Sequence, residues 1–191
     1  MNMKDYRTAK YNIEPIFINR WSPRAFREDE IPEKTLLGVL EAASWAPSAA
    51  NIQPWRFVIA RTEKDRNRFY SFINDGNLTW CKKAPALILV MSKTTTERGP
   101  SISHAFDAGS AWGFLSLEAA HKGLITHAMG GFDRNKAKEV LGIPEEYQLH
   151  AVVAIGYQGD KKGLSEVHQE REKPSGRRSL DETVFEGKFE S

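Results

Sequence analysis

Apolar residues along the chain fall into two kinds of pattern. Three runs are almost continuously apolar: Trp55–Ala60 (WRFVIA), 86–92 (ALILVMS) and 151–157 (AVVAIGY). Each is short, rich in Val, Ile or Leu and bounded by Pro, Gly or polar residues, which predicts three strands of one sheet. Without strict alternation, both faces of such strands are expected to be buried, so helices should lie above and below. Elsewhere the apolar positions recur at helical spacing. Pro32 opens a helix whose apolar face is Leu36, Leu37, Leu40 and Ala43, ending near Trp45 before Pro47. Thr62, with Asp65 three residues on, opens a second that carries Phe69, Phe72 and Ile73, and Asn74-Asp75-Gly76-Asn77 stops it. A third, over 102–122, sets Phe106, Trp112, Phe114, Leu115 and Leu117 around most of its circumference, with Gly123 as its cap. A helix apolar all round is either central or at an oligomer interface. Asp133 can cap a fourth over 135–141, closed by Gly142 and Pro144.

Composition narrows this picture. With 191 residues the chain suits one domain, which can bury about 70% of its unfolded surface without a disulfide or metal staple. From Gln158 the residues turn polar and charge-mixed, too sparse in apolar side chains to build a core. The expectation is a core over 1–157 and an arm over 158–191 laid on another surface, anchored by Val184, Phe185 and Phe189; the alternative is a frayed tail. The 27 Lys and Arg against 25 Asp and Glu leave a net charge of +2 with both signs interspersed, which argues against a nucleic-acid partner. Cys81 is the only cysteine, so no internal disulfide or multi-cysteine metal site is expected, and a reducing compartment fits. Its neighbours Lys82 and Lys83 leave open an activated thiol as against a structural one. The five histidines lack metal-ligand spacing, and no metal is expected. The N-terminus lacks a signal pattern and the apolar stretch 84–91 is far short of the ~20 residues that span a bilayer, so a soluble, cytoplasmic protein is expected.

The chain has no G-x-G-x-x-G after a strand, no G-x-x-x-x-G-K-[ST], no H-E-x-x-H and no G-x-S-x-G. Four segments do carry candidate chemistry. Arg20-Trp21-Ser22-Pro23-Arg24 offers two guanidinium forks and a hydroxyl to one oxyanion such as a phosphate, with Pro23 holding Ser22 extended. The alternative is a surface segment whose arginines pair with carboxylates such as Glu28. Pro47-Ser48-Ala49-Ala50-Asn51-Ile52-Gln53-Pro54 joins a helix to a strand, yet is richer in hydroxyl and amide groups than a plain connection requires. Met129-Gly130-Gly131-Phe132-Asp133 sets two glycines before a helix start, where free N–H groups can face an anion or a carbonyl edge. Arg177-Arg178 forms a second basic pair in the arm.

In this order and spacing, R-x-S-x-R-x-F, A-P-S-A-x-N-x-Q-P-W-x-F, D-A-G-S-A, M-G-G-F-D and the late arginine pair resemble the FMN-dependent nitroreductase family from Ile16 to Phe189. The resemblance implies an α+β nitroreductase-like fold: a central mixed sheet flanked by helices, and a homodimer with exchanged C-terminal arms. It implies FMN as cofactor, with Arg20, Ser22 and Arg24 on the phosphate and ribityl chain and Trp21 supplying backbone contacts. Pro47, Ser48, Ala49 and Asn51 would come from the partner subunit to flank the isoalloxazine. The Met129, Gly130 and Gly131 backbone would donate near flavin N5 and O4, and Arg177 and Arg178 would close on the phosphate. The chemistry is then expected on flavin N5, with no catalytic side chain: NAD(P)H in, then a nitroaromatic, quinone or similar electron-poor acceptor, in ping-pong order. Dehalogenation, enal reduction, flavin breakdown, or a flavin-binding protein without turnover are the alternatives. Larger relatives carry a long helical insertion where this chain has only 93–101, so a short lid is expected. Ala128 replaces a bulkier family residue, and Asn77 is a candidate ring contact.

Overall fold

Residues 3–189 are described in the computed structural model of the chain; positions 1 and 2 of the expected core and 190 and 191 of the expected arm lie outside them. In chain order the strands are β1 (Trp55–Ala60), β2 (Ala86–Lys93), the two-residue β3 (Thr95–Thr96) and β4 (Gly99–Pro100), β5 (Ile125–Met129) and β6 (Tyr147–Gly156). One sheet has the order β1-β2-β6-β5, and β3 and β4 form a hairpin beside it. The helices are α1 (Pro15–Asn19), α2 (Glu33–Ser44), α3 (Glu63–Tyr70), α4 (Asp75–Cys81), α5 (His104–His121), α6 (Arg134–Leu141) and α7 (Glu166–Arg171).

The α+β class expected from the sequence is the one observed, with one correction. The sheet is antiparallel at every pairing among the described residues, not mixed. Antiparallel strands alternate apolar and polar only when one face meets water, and here helices cover both. Along β2, Leu87 and Leu89 face a cluster with Val152, Phe69, Phe72 and Trp80. The intervening Ile88 and Val90 face Val153, Ile155, Leu36, Val39, Ala111 and Leu115. Each such side chain, fully buried, contributes roughly 1.5–3 kcal/mol. The strand is therefore apolar at nearly every position because it is a wall between two cores.

Local signals account for most boundaries. Thr62 Oγ1 accepts from the Asp65 N–H at the start of α3, and Asp133 accepts from the Lys136 N–H at the start of α6. Gly142 ends α6 in the left-handed region. The Asn74–Asn77 stretch, expected only to stop α3, instead starts α4, with the Asn77 and Leu78 N–H groups donating to Asn74 O. Residues that end a helix also begin one, and Leu78 and Trp80 supply the buried face that decides it. On α5, Ala108, Ala111, Leu115 and Ala119 are buried against the sheet, while Phe106 and, just before the helix, Ile102 are 82% and 100% exposed.

The expected arm divides in two. Gln158 bridges to Phe26, and the Gly159 N–H donates to Ala25 O at 2.8 Å. Leu164 joins the core, and Glu172 is buried with its carboxylate on backbone N–H groups of Arg24 and Ala25. Residues 158–174 thus pack on their own chain, and residues 175–189 are exposed. No helix among the described residues is long and apolar enough to cross a membrane.

Candidate functional site

The segment after α1 is extended because Pro23 follows Ser22, and it is fastened from beneath. The Arg24 N–H donates to both Glu172 oxygens, at 2.8 and 3.0 Å, and the Ala25 N–H donates to Oε1 at 2.9 Å. A buried carboxylate is stable only with such donors, so Glu172 and this backbone hold each other in place. The two arginines then diverge. Arg20 Nη1 donates to Ser22 Oγ at 3.3 Å and to Trp21 O at 3.4 Å. The Arg24 guanidinium lies 5.9 Å over the Trp80 ring. Neither pairs with Glu28, and among the described residues none of Arg7, Arg20, Arg24, Arg177 and Arg178 has a salt-bridge partner.

Around Arg20 the cations converge. Arg7 donates from Nη1 to Arg20 O at 2.7 Å and to Ile18 O at 3.0 Å, and from Nε to Ser175 O at 2.7 Å. Burial, and then the charge of Arg177, hold Arg20 below the usual guanidinium range; Arg7 is lowered by burial, by Arg177 and by Arg20. A cavity of about 570 Å³ lies between residues 6–18 and 176–181 and is lined by Arg7, Arg177 and Arg178. A second, of about 440 Å³, is lined by Arg20 and Trp21 together with Thr126, whose buried hydroxyl has no hydrogen-bond partner.

From Arg24 the site continues along β5. His127 Nδ1 donates to Pro23 O at 3.0 Å, and its ring centroid is 4.6 Å from that of Trp80. Burial, and then Arg24, hold this imidazole below its ordinary pKa. At the end of β5 the Gly131 carbonyl accepts from Asn77 Nδ2 and from the Asn74 N–H, both at 3.1 Å. A Cβ at Gly131 would lie 2.9 Å from Asn77 Nδ2. The N–H groups of Gly130 and Gly131 have no acceptor within the chain among the described residues.

The loop holding Pro47, Ser48, Ala49 and Asn51 does not join this group. Its partners lie within itself, on α5 and at the start of β1: the Ala49 N–H approaches both Asp107 oxygens at 3.4 Å, the Gln53 N–H donates to Ser48 Oγ at 3.0 Å, and Arg56 Nη1 donates to Gln53 O at 3.0 Å. Ala50, Asn51 and Gln53 all have positive φ, the only non-glycine residues among the described ones that do. Such strain costs of order 1–3 kcal/mol per residue and gathers at functional sites. Beyond the loop, Ser92 Oγ lies between His104 Nδ1, at 2.8 Å, and His150 Nε2, at 2.6 Å. Cys81 is buried, and burial pushes its thiol up to about 12, which makes it structural rather than activated.

The structure therefore brings Arg20, Trp21, Ser22, Arg24, Met129, Gly130, Gly131 and Arg177 along one side of a single chain and leaves Pro47, Ala49 and Asn51, exposed around a half-buried Ser48, elsewhere. Sequence reasoning missed Arg7, Glu172 and the Asn74 backbone, and gave Asp107, inside D-A-G-S-A, no role. Arg7 and Glu172 sit in charged stretches with no motif around them, and only the chain's return brings them to the site.

Residues 18–79 and 72–157 match the nitroreductase family. The chain belongs to that family. A crystal structure described as an oxidoreductase containing FMN is 42% identical, with a TM-score of 0.93 over 96% of each chain. An iodotyrosine deiodinase from Thermotoga neapolitana is 28% identical over 75% of this chain and 87% of its own. An NADH dehydrogenase from Thermus thermophilus is 28% identical over 75% of this chain and 85% of its own.

Proposed function

We propose that the chain is an FMN-dependent oxidoreductase that takes electrons from NADH or NADPH and passes them to nitroaromatics, quinones or similar electron-poor acceptors in two alternating half-reactions. The observation that carries this reading is the cluster of Arg7, Arg20 and Arg177 beside Ser22, which lacks a counter-ion. A flavin mononucleotide ends in a phosphate close to dianionic at neutral pH, and guanidinium forks match its oxygens two at a time. Arg178 adjoins the same cavity.

FMN, when bound, supplies reversible hydride acceptance at its N5. The chain's own residues position and polarise. The Gly130 and Gly131 N–H groups offer donors to the carbonyl edge of the ring, and Asn77 and Asn74 hold that turn rigid through the Gly131 carbonyl. Arg24, set over Trp80, offers a fixed cation between the phosphate end and the turn, suited to negative charge at the N1/O2 edge. Trp21 follows the extended backbone, and Met129 packs beneath. Pro47, Ser48, Ala49 and Asn51 serve the flavin of a second copy in a homodimer, a reading supported by the exposure of their loop and of Trp45, Ile102 and Phe106 around it. The C-terminal arm, from Ser175 on, also reaches that second copy.

The segment from Lys93 to Ser101 forms only the small β3–β4 hairpin, so the acceptor side is left open by this chain. The deiodinase relative favours dehalogenation as a second reading. The test is to purify the full chain, bleach it anaerobically with NADH or NADPH, and follow reoxidation by a nitroaromatic, a quinone and 3-iodotyrosine. A yellow protein that bleaches and recovers with the first two is expected; recovery only with iodotyrosine selects the second reading. A protein that takes up no FMN overturns both. Arg20→Ala is expected to weaken FMN binding by roughly tenfold to several hundredfold, with little change in the melting of the apo-protein.

A further inference from the structure

Arg7 belongs to none of the motifs, yet its side chain joins three separate stretches of the molecule. One nitrogen, Nη1, holds the carbonyls of Ile18 and Arg20 at the end of α1, and Nε holds the carbonyl of Ser175 at 2.7 Å, just before the Gly176-Arg177-Arg178 turn. The carbonyls it binds are backbone groups, so they report where the chain is held, not which charges it prefers. The charge of Arg177 lowers the proton affinity of Arg7 and of Arg20, Arg7 and Arg177 line one cavity, and no carboxylate among the described residues pairs with any of the three. Two opposing influences therefore act on the arm: the Arg7 hydrogen bond to Ser175 O draws it in, and like charges push it away. Arg177 itself is exposed and hydrogen-bonds only to carbonyls and a hydroxyl of its own turn.

We propose that Arg7 is a positioning residue that fastens the C-terminal arm to the phosphate end of the flavin site, so that FMN binding and closure of the arm are a single coupled event. The proposal rests on the FMN reading above. An anion placed among Arg7, Arg20 and Arg177 converts their repulsion into attraction, and the Arg7 hydrogen bonds then act in the same direction as the charge. The arm supplies Arg177 only when Ser175 is held, and Ser175 is held by Arg7. Coupling of this kind is reciprocal: whatever factor the closed arm adds to FMN affinity, FMN adds to arm closure. Arg7 acts through Ser175 and Arg20, and no contact of its own with the phosphate is required.

The test uses the full-length protein with Arg7→Ala and Arg7→Lys, and has two readouts. One is FMN affinity, from quenching of flavin fluorescence. The other is the rate of tryptic cleavage after Arg177 and Arg178, with and without FMN. In the unaltered protein FMN is expected to slow that cleavage at least tenfold. Arg7→Ala is expected to weaken FMN by about tenfold to a hundredfold, the loss of hydrogen bonds to a charged group, and to reduce the protection of the arm by the same factor. Arg7→Lys keeps the charge but not the fork that reaches both carbonyl groups, so it should recover only part of each. Equal FMN affinity and equal protection in all three proteins would overturn the proposal. So would weakened FMN with unchanged cleavage of the arm, which would make Arg7 a direct phosphate ligand. If Arg7→Ala does not fold, Arg7→Lys decides by the same two readouts. Failure of the unaltered protein to take up FMN would strike the function itself; an affinity intact in the unaltered protein and in both variants would strike only the fastening.

Discussion

A methyl group added at Gly131 would meet the amide of Asn77 at 2.9 Å, and that amide is the donor that holds the Gly131 carbonyl. Gly131→Ala is therefore expected to cost about 1–2 kcal/mol in the melting of the apo-protein, the scale of one lost hydrogen bond, and about tenfold in FMN affinity, because the turn that presents two free N–H groups shifts. Asn77→Ala alone should cost a similar amount, and the double variant less than the sum, since the clash disappears with the amide. Thermal melts and flavin titrations of the three proteins check this. The histidines carry the pH dependence. His127 is held below its ordinary pKa by burial and then by Arg24, and His150 by burial, then His104, then Arg134. Each is therefore more easily protonated in the unfolded chain, where the pKa is about 6.5. Their contribution to stability is complete above that value and is lost as pH falls through the lower folded values. The melting temperature should thus fall between pH 7 and pH 5, and His150→Gln, which can still hydrogen-bond Ser92, should flatten part of the decline.

Elements show where local sequence is sufficient and where it is not. The start of α6 at Asp133 and its end at Gly142 were legible because the cap and the left-handed glycine are decided by residues next to one another. β2 was legible because both faces of its run 86–91 are buried and its first polar position, Ser92, comes only near the end. β5, with the sequence ITHAM, was not: Thr126 and His127 are polar, and only β6 alongside and Pro23 beyond make a strand of it. The site divides in the same way. The double glycine and the serine between two arginines were legible, whereas the parting of Arg20 from Arg24 depends on Trp80 and Glu172, which no local pattern connects to them. The loop before β1 is the element under most strain, and Ala50, with φ of 49°, is the simplest place to release it. A non-glycine residue in that conformation costs roughly 1–2 kcal/mol, while glycine adds about 0.4–1 kcal/mol of unfolded-state entropy. Ala50→Gly should leave stability unchanged or raise it by up to about 1 kcal/mol, worth roughly 2–4 °C in a chain of this size. It should lower kcat/KM for the acceptor, because the loop becomes less rigid. A melt and a steady-state assay check the two halves separately.

At the scale of the whole molecule the exposed apolar side chains are the main unbalanced feature. Phe106 and Ile102 at the start of α5, Trp45 after α2, and Phe189 in the arm stand in water in a single copy. Burial of one phenylalanine contributes roughly 1.5–3 kcal/mol, and in a two-fold dimer each contact occurs twice. Phe106→Glu is therefore expected to weaken a homodimer by at least a hundredfold. Sedimentation at low micromolar concentration should find the unaltered protein dimeric and the variant monomeric and poor in FMN. A variant that stays dimeric would move the interface away from α5, and an unaltered protein that is a yellow, active monomer would remove the need for one.

The grip of Glu172 on the backbone of Arg24 and Ala25 also sets an order of assembly. A ribosome delivers the chain in order, so Arg24 is made 148 residues ahead of the Glu172 that clamps it. Until Glu172 has followed, that segment has no carboxylate to hold its backbone, and its cations have no Arg177 to meet them. A chain made only as far as residue 157, with every glycine and arginine of the early motifs, is therefore expected to hold FMN poorly.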